Sequence, residues 1–103
     1  MKLIVLFGKP KDRTAFDAYF TDHHHPLLSD IPGVERVTVN RIAGAAKGDS
    51  PYQLITELEF PSEEAMQAGL NSEAGQSMAR DFARFASGGF TVLFSETLEE
   101  PQI

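Results

Sequence analysis

The segment DRTAFDAYFTDHHHPLL, residues 12–28, is the first long helical pattern of the chain and holds all three histidines. Its stripe follows the three- and four-residue spacing of a half-buried helix and comprises Phe16, Tyr19, Phe20, His23, His24, Leu27 and Leu28. Pro26 cannot donate a helical hydrogen bond, and it disfavours helical geometry at the residue before it. The pattern therefore predicts a helix that begins at Asp12 or Thr14 and that kinks or ends near His24.

The segments on either side of this helix predict strands. Residues 2–8, KLIVLFG, are apolar on both faces and too short for a helix, which is typical of a central strand. Residues 34–43 alternate imperfectly, as in an edge strand, and residues 52–60 alternate cleanly. In the last of these strands Tyr52 and its alternates are predicted to point one way, toward the core, and Gln53 and its alternates the other way.

The C-terminal half predicts a broken helix followed by a strand. Ser62 is a suitable N-cap, and the two glutamates after it suit the positive end of the helix dipole. The predicted elements are a helix over 62–70, a second helix over 72–86, a strand over 90–98 and a frayed tail over 99–103. Asp81 and Arg84 lie three residues apart in the second helix and are expected to form a surface ion pair.

The element order is β-α-β-β-α-β, which is the split pattern of the ferredoxin-like α+β fold. Right-handed crossovers place the first and third strands in the middle of a four-stranded antiparallel sheet, with the helices on one face. The other face carries Ile55, Leu93 and half of the first strand's apolar residues, and a single domain over 1–103 has nothing left to cover them. An uncovered apolar face usually marks an interface. The sequence therefore predicts a homodimer with the two sheets packed face to face.

Composition excludes several classes of partner. The net charge of −6 argues against nucleic acid and against anionic membrane surfaces. No apolar run approaches the roughly 18–20 residues of a membrane span. The chain has no cysteine, so neither a disulfide framework nor a thiolate nucleophile is expected. These features predict a cytoplasmic protein with no nucleic-acid or membrane partner.

Short motifs follow one another along the chain in a specific order. The first helix contributes Phe16, Tyr19, Phe20, His24, Pro26 and Leu27, and Pro32-Gly33-Val34 precedes the second strand. The third strand ends at Phe60 and is followed by Ser62, Glu64 and Ala65. A Ser-x-Glu-Gly-like segment then occupies 72–75, and the run DFARF occupies 81–85. In this order and spacing they resemble the EthD family, named for ethyl tert-butyl ether degradation, within the dimeric α+β barrel superfamily. The resemblance covers nearly the whole chain.

The resemblance implies a homodimer whose monomers each hold an apolar cavity between sheet and helices. Relatives in that superfamily include cofactor-free monooxygenases acting on aromatic polyketides, muconolactone isomerases and haem enzymes. The histidine that matches the family pattern is His24, and no cofactor is expected. Haem binding is a third possibility, which would need an axial histidine in the cavity.

His24 is therefore the predicted catalytic residue, as an acid, a base or an orienting donor. Tyr19 is a possible second donor, although it precedes His24 by five residues and so lies about 140° away around an α-helix. The predicted substrate-binding residues are Phe16, Phe20, His23, Tyr52 and Phe82. Whether His23, His24 or His25 faces the pocket stays open. Neighbouring helical residues point about 100° apart, so the three cannot bind one ion together, and no metal site is expected.

Two functions remain in competition. The leading hypothesis is a cofactor-independent monooxygenase or isomerase acting on a hydrophobic aromatic, quinone-like or lactone substrate in an apolar pocket. The alternative is a non-catalytic protein that binds a small hydrophobic ligand or assists an oxidative degradation pathway. The surroundings of His24 discriminate between them. An imidazole that faces a pocket and is held by another side chain favours the enzyme, whereas one bonded to backbone carbonyls favours binding or a structural role.

Overall fold

The computed structural model describes residues 1–98. Its elements in chain order are β1 (Lys2–Gly8), α1 (Arg13–Tyr19), a π-helical turn (Phe20–His24), α2 (His25–Ser29), β2 (Arg36–Arg41), β3 (Tyr52–Glu59), α3 (Glu63–Asn71), α4 (Glu73–Phe85) and β4 (Phe90–Ser95). Both β2 and β4 are shorter than predicted, and the predicted tail lies outside the described residues. Within residues 1–98, no helix is long and apolar enough to cross a membrane.

The four strands form one antiparallel sheet in the order β2-β3-β1-β4. The predicted ferredoxin-like α+β fold is confirmed, with the first and third strands in the middle. Leu3, Val5 and Phe7 of β1 point to the helices and are completely or almost completely buried. Phe7 lies at the centre of the core, where its ring packs against those of Phe16, Phe20, His24, Phe82 and Phe85.

The first helix does not end near His24 as one alternative predicted. Asp12 caps it, accepting a hydrogen bond from the backbone N–H of Ala15 at 3.0 Å. The helix then widens into the π turn, in which the N–H of His25 donates to the carbonyl of Phe20, and it continues as α2. Pro26 lies in the first turn of α2. Its ring would collide with the carbonyl four residues earlier in an α-helix, and a wider turn relieves that collision.

A β-bulge changes the predicted alternation at the start of β3. Phe7 pairs with Leu54 but Gly8 pairs with Tyr52, so that Gln53 is an extra residue without its own partner. The prediction that Gln53 points away from the core is wrong, since its side chain is buried and donates to Asp17 Oδ1 at 3.4 Å. Tyr52, predicted to face inward, is 38% exposed.

Strand β4 leaves much apolar surface uncovered. Phe90, Val92 and Phe94 lie on the helix side of the sheet but are only partly covered there, and Phe94 is 59% exposed. On the opposite side Leu93 is 46% exposed and pairs with Ile4. The half-buried side chains of Ile4, Leu6 and Ile55 complete an apolar patch there, as the sequence predicted.

A tight junction between α3 and α4 sets the position of α4. Ser72 ends α3 and caps α4, accepting from the N–H of Gly75 at 3.1 Å. A methyl group on Gly75 would collide with the carbonyl oxygens of Gly69 and Leu70. Only glycine fits there, because these neighbours are backbone atoms.

We therefore expect Gly75→Ala to lower the free energy of unfolding by about 1–3 kcal/mol, despite alanine's better helix propensity, because it overpacks the junction. Gly44→Ala is the matched control, since nothing lies within 4 Å of that position. Urea denaturation followed by circular dichroism measures both. Equal midpoints for the two variants would contradict the prediction.

Candidate functional site

His24 lies in the π turn and is the buried member of the histidine triplet, with 1% of its surface exposed. Its imidazole is enclosed by aromatic rings, those of Phe85, Phe82, Phe20 and Phe7, at centroid distances of 4.6, 5.3, 5.5 and 6.2 Å. His23 and His25 are exposed; they pack against Tyr19 and Phe20. The structure thus leaves one of the three histidines inside the core.

A buried carboxylate holds the His24 ring. Asp81, on α4, is 3% exposed, and its Oδ2 lies 2.9 Å from His24 Nδ1. Tyr19 donates its hydroxyl to the other oxygen, Oδ1, at 2.6 Å, and Arg84 Nη1 lies 3.7 Å from that oxygen. An ionised carboxylate only accepts hydrogen bonds, so Nδ1 carries a proton, and in the neutral imidazole Nε2 is then unprotonated.

The opposite nitrogen of His24 is unsatisfied. Nε2 is buried and has no hydrogen-bond partner among the residues that the structure describes. A buried polar atom without a partner costs free energy and requires an explanation. An unprotonated Nε2 is a Brønsted base, and the carboxylate behind the ring stabilises the imidazolium that forms when the base takes a proton.

The π turn brings Tyr19 and His24 to the same carboxylate. In a regular α-helix these two side chains would lie on different flanks, as the sequence analysis assumed. A π turn closes its hydrogen bond over five residues instead of four, so residues five apart come to one face. The expected separation of about 140° is therefore wrong, because it assumed a regular α-helix.

Burial lowers the pKa of the His24 imidazole, because the charged ring loses its hydration, and the opposing effect of Asp81 is smaller. Burial raises the pKa of Asp81, but the hydrogen bonds from Tyr19 and His24 and the nearby charge of Arg84 outweigh that effect and lower it. The hydrogen bond to Asp81 raises the pKa of Tyr19. At neutral pH the site therefore consists of a neutral imidazole, a carboxylate and a phenol.

The predicted ion pair between Asp81 and Arg84 forms, at 3.7 Å. The prediction that Asp81 lies at the surface is wrong, because it lies on the buried stripe of α4, three residues after Met78 and four before Phe85. A charged residue on an apolar stripe was the available signal. The second member of the pair, Arg84, is exposed.

The other predicted site residues divide into two groups. Phe20 and Phe82 pack directly against His24, and Phe16 packs against Phe20. Tyr52 lies elsewhere, in a polar surface hollow with Lys9 and Arg13, and the structure does not bring it to His24.

Three surface hollows are lined by rings that pack against the imidazole. The first, the tyrosine hollow, has a volume of about 270 Å³ and is lined by Lys11, Asp12, Ala15, Phe16, Tyr19, Arg84, Phe85 and Ser87. The second, the apolar trough, lies between α4 and β4, has a volume of about 230 Å³ and is lined by Leu3, Val5, Leu70, Gly75, Met78, Ala79, Phe82, Val92 and Phe94. The third, the mixed hollow, has a volume of about 260 Å³ and is lined by Asp17, Phe20, Thr21, His25, Val39, Arg41 and Leu54. Phe85 belongs to the first lining, Phe82 to the second and Phe20 to the third. The space expected as a pocket around His24 is thus filled by aromatic rings.

Comparison with known proteins places these features in context. The family model described as EthD domain matches residues 9–89. An uncharacterized 11.0 kDa protein of Rhodococcus erythropolis, from the thcB-thcC intergenic region, is 30% identical over 95 residues, which is 92% of each chain.

Solved structures agree with this match. An ethyl tert-butyl ether degradation family protein from Bacillus halodurans is 32% identical, with a TM-score of 0.89 over 94% of this chain and 97% of that chain. SnoaB, a cofactor-independent oxygenase from Streptomyces nogalater, is 15% identical, with a TM-score of 0.61 over 96% of each chain. At that identity the likeness to SnoaB shows the fold alone.

The lowered pKa of His24 makes the stability of the fold depend on pH. Below about pH 6.5, the ordinary value for histidine, the unfolded chain binds a proton that folded His24 does not. We expect the free energy of unfolding to fall as the pH drops below that value, by up to about 1.4 kcal/mol per pH unit for one proton. Urea denaturation at a series of pH values from 5 to 8 measures this slope.

His24→Gln should remove most of that slope, whereas His23→Gln, a change at the exposed neighbour, should keep it. If wild type and His24→Gln show the same slope, His24 is not the group responsible.

Proposed function

The chain belongs to the EthD family, and from that premise we propose that it is a homodimeric, cofactor-independent enzyme in which His24 removes a proton from its substrate. The substrate is a hydrophobic aromatic, quinone-like or lactone compound with an acidic C–H or O–H group. The observation that carries this proposal is the unpartnered, buried Nε2 of His24, held in place by Asp81. Within the described residues the imidazole is held by a side chain, which is one of the two features that favour an enzyme. The other, an open pocket in front of the ring, is filled by aromatic side chains.

Each residue of the site has a role in the proposed reaction. The lowered pKa of His24 keeps its Nε2 free to accept a proton at neutral pH. Asp81 fixes the tautomer by accepting from Nδ1, and it stabilises the imidazolium after proton transfer. Tyr19 donates a hydrogen bond to the same carboxylate and so holds it in position beside the imidazole ring.

The substrate anion then has two possible fates. In an isomerisation the proton returns from Nε2 to a different carbon of the substrate. In an oxygenation the anion reacts with O₂: a CH₂ group beside an aromatic ketone becomes a carbonyl, one oxygen atom is retained and the other leaves as water. The substrate itself supplies the four electrons that reduce O₂. The shared fold of SnoaB, a cofactor-independent oxygenase, supports the second outcome.

A second candidate function rests on how closed the site is. Because His24 is only 1% exposed, the same chain is also suited to binding a small hydrophobic ligand without turnover, or to assisting an oxidative degradation pathway. In that case Asp81, Tyr19 and His24 form a buried polar network that joins the first helix to α4.

The proposed dimer rests on the apolar patch formed by Ile4, Leu6, Ile55 and Leu93 on the side of the sheet away from the helices. Exposed apolar patches of this kind mark interaction sites. A two-fold axis would place the same patch of each copy against the other.

The enzyme hypothesis is tested by thermal shift and turnover with phenols, anthrones, quinones and lactones. A compound at about 100 times its dissociation constant adds roughly 2.7 kcal/mol, a shift of several degrees. We expect one class to stabilise wild type, with a smaller effect on His24→Ala. Turnover of that class, followed by oxygen uptake and absorbance, should fall at least about 100-fold in Asp81→Asn, because the amide can donate to Nδ1 and place the proton on Nε2.

Asp22→Asn is the matched control, since Asp22 is an exposed carboxylate beside the triplet, and it should keep full turnover. If no class stabilises wild type and His24→Ala merely melts lower, the enzyme hypothesis is wrong and the non-catalytic alternative is favoured.

The dimer is tested by sedimentation equilibrium at micromolar concentration. We expect wild type to sediment as a dimer and Leu93→Glu to sediment as a folded monomer, because a buried carboxylate without a partner opposes the contact. Ala68→Glu, at an exposed position on α3, should remain dimeric. A monomeric wild type would exclude the proposed interface.

A further inference from the structure

The proposed base has no open path to a substrate. Three hollows approach it: the tyrosine hollow past Phe85, the apolar trough past Phe82 and the mixed hollow past Phe20. A substrate must therefore displace one of these three rings. The lining of the mixed hollow includes Asp17 and Arg41, which form an ion pair at 3.3 Å, so it does not suit an apolar occupant. The geometry of the imidazole and the chemistry of the linings decide between the other two.

The tyrosine hollow opens on the wrong side of the ring. Tyr19 lines it and donates to Asp81, which accepts from Nδ1 of His24. The two nitrogens of an imidazole point to different sides, so the reactive Nε2 faces away from the carboxylate and from Tyr19. The lining also includes three charged side chains, those of Lys11, Asp12 and Arg84, which the apolar trough lacks.

The apolar trough has the complementary properties. Every side chain in its lining is apolar, and the trough is continuous with the exposed parts of β4, Val92 and Phe94. Phe82 lines it and also packs against His24, with ring centroids 5.3 Å apart. On its other side Phe82 contacts Phe90 at 4.4 Å, and Phe90 is 46% exposed. The Phe82 ring thus packs against the buried imidazole on one side and against a partly exposed ring on the other.

We infer that the apolar trough is the substrate channel and that Phe82 is the gate between it and Nε2 of His24. The reaction at Nε2 rests on the proposed function, whereas the binding of a ligand in the apolar trough does not. The occupant is an uncharged aromatic molecule of one or two rings, with its acidic O–H or C–H directed at Nε2. The size limit follows from the volume of about 230 Å³, which is below the roughly 300–1,000 Å³ of sites for drug-sized ligands.

The proposed dimer contact leaves this channel open. The trough lies on the helix side of the sheet, where Val92 pairs with Val5, whereas the dimer patch around Leu93 lies on the opposite side. Both surfaces can therefore be used at once.

The channel is tested with 2-naphthol, a two-ring phenol whose fluorescence reports binding. Ala79 is exposed on α4 and lines the trough, so Ala79→Trp fills the trough without entering the core. Ala18→Trp is the matched control, an exposed alanine on α1. We expect Ala79→Trp to weaken 2-naphthol binding at least about tenfold and Ala18→Trp to leave it unchanged. In ¹⁵N NMR spectra of wild type, the Nε2 signal of His24 should shift on binding.

Unchanged affinity in Ala79→Trp, the absence of 2-naphthol binding to wild type, or an Nε2 signal that does not respond would each overturn the channel. The gate is tested by the association rate of 2-naphthol, which should rise in Phe82→Leu and not in Phe85→Leu. A rise in Phe85→Leu alone, or in neither variant, would overturn the gate.

The same variants separate this inference from the proposed function. Trough-dependent binding of 2-naphthol, with no turnover of any substrate class, would retain the channel and overturn the enzyme hypothesis. Turnover that depends on His24 but is insensitive to Ala79→Trp would retain the enzyme and overturn the channel.

Discussion

One buried carboxylate connects the parts of this molecule that matter most for its chemistry. Asp81 lies on α4 and accepts hydrogen bonds from Tyr19, at the end of α1, and from His24, in the π turn. A carboxylate can only accept, so both partners must act as donors. The charge-assisted hydrogen bonds fix the tautomer of the histidine and the orientation of the tyrosine together. Aromatic packing encloses the group, but the carboxylate determines which atom of His24 remains reactive.

The fold was largely predictable from the sequence, because its signals are local and agree with one another. Alternating strands, the Ser62 cap and the break at Ser72 each have a physical cause within a few residues. The exceptions arise where two elements interact. The bulge that turns Gln53 inward depends on the register of β3 against β1, and the π turn depends on how the helix accommodates Pro26. Neither can be read from spacing alone.

The central residues of the candidate site could be predicted from the sequence, but the hydrogen bonds that join them could not. His24 and Tyr19 stand out by residue type, but their shared partner lies 57 and 62 residues away along the chain. The role of Asp81 was not recognised because Arg84 follows it by three residues, and an acid and a base at that spacing usually form an exposed pair of little energetic consequence. Tyr52 was misplaced for a related reason, because the bulge alters the alternation on which its placement depended.

The π turn has a consequence for comparing this chain with its relatives. Here the tyrosine and the histidine are separated by four residues and reach the same carboxylate only because the helix is wider at that point. If a relative lacked one residue between them, an ordinary α-helix would bring the same two side chains to one face, since residues four apart are neighbours there. An alignment of the two would show a gap inside a helix, at the site itself. A search that demands one fixed spacing would then separate proteins whose sites are chemically the same.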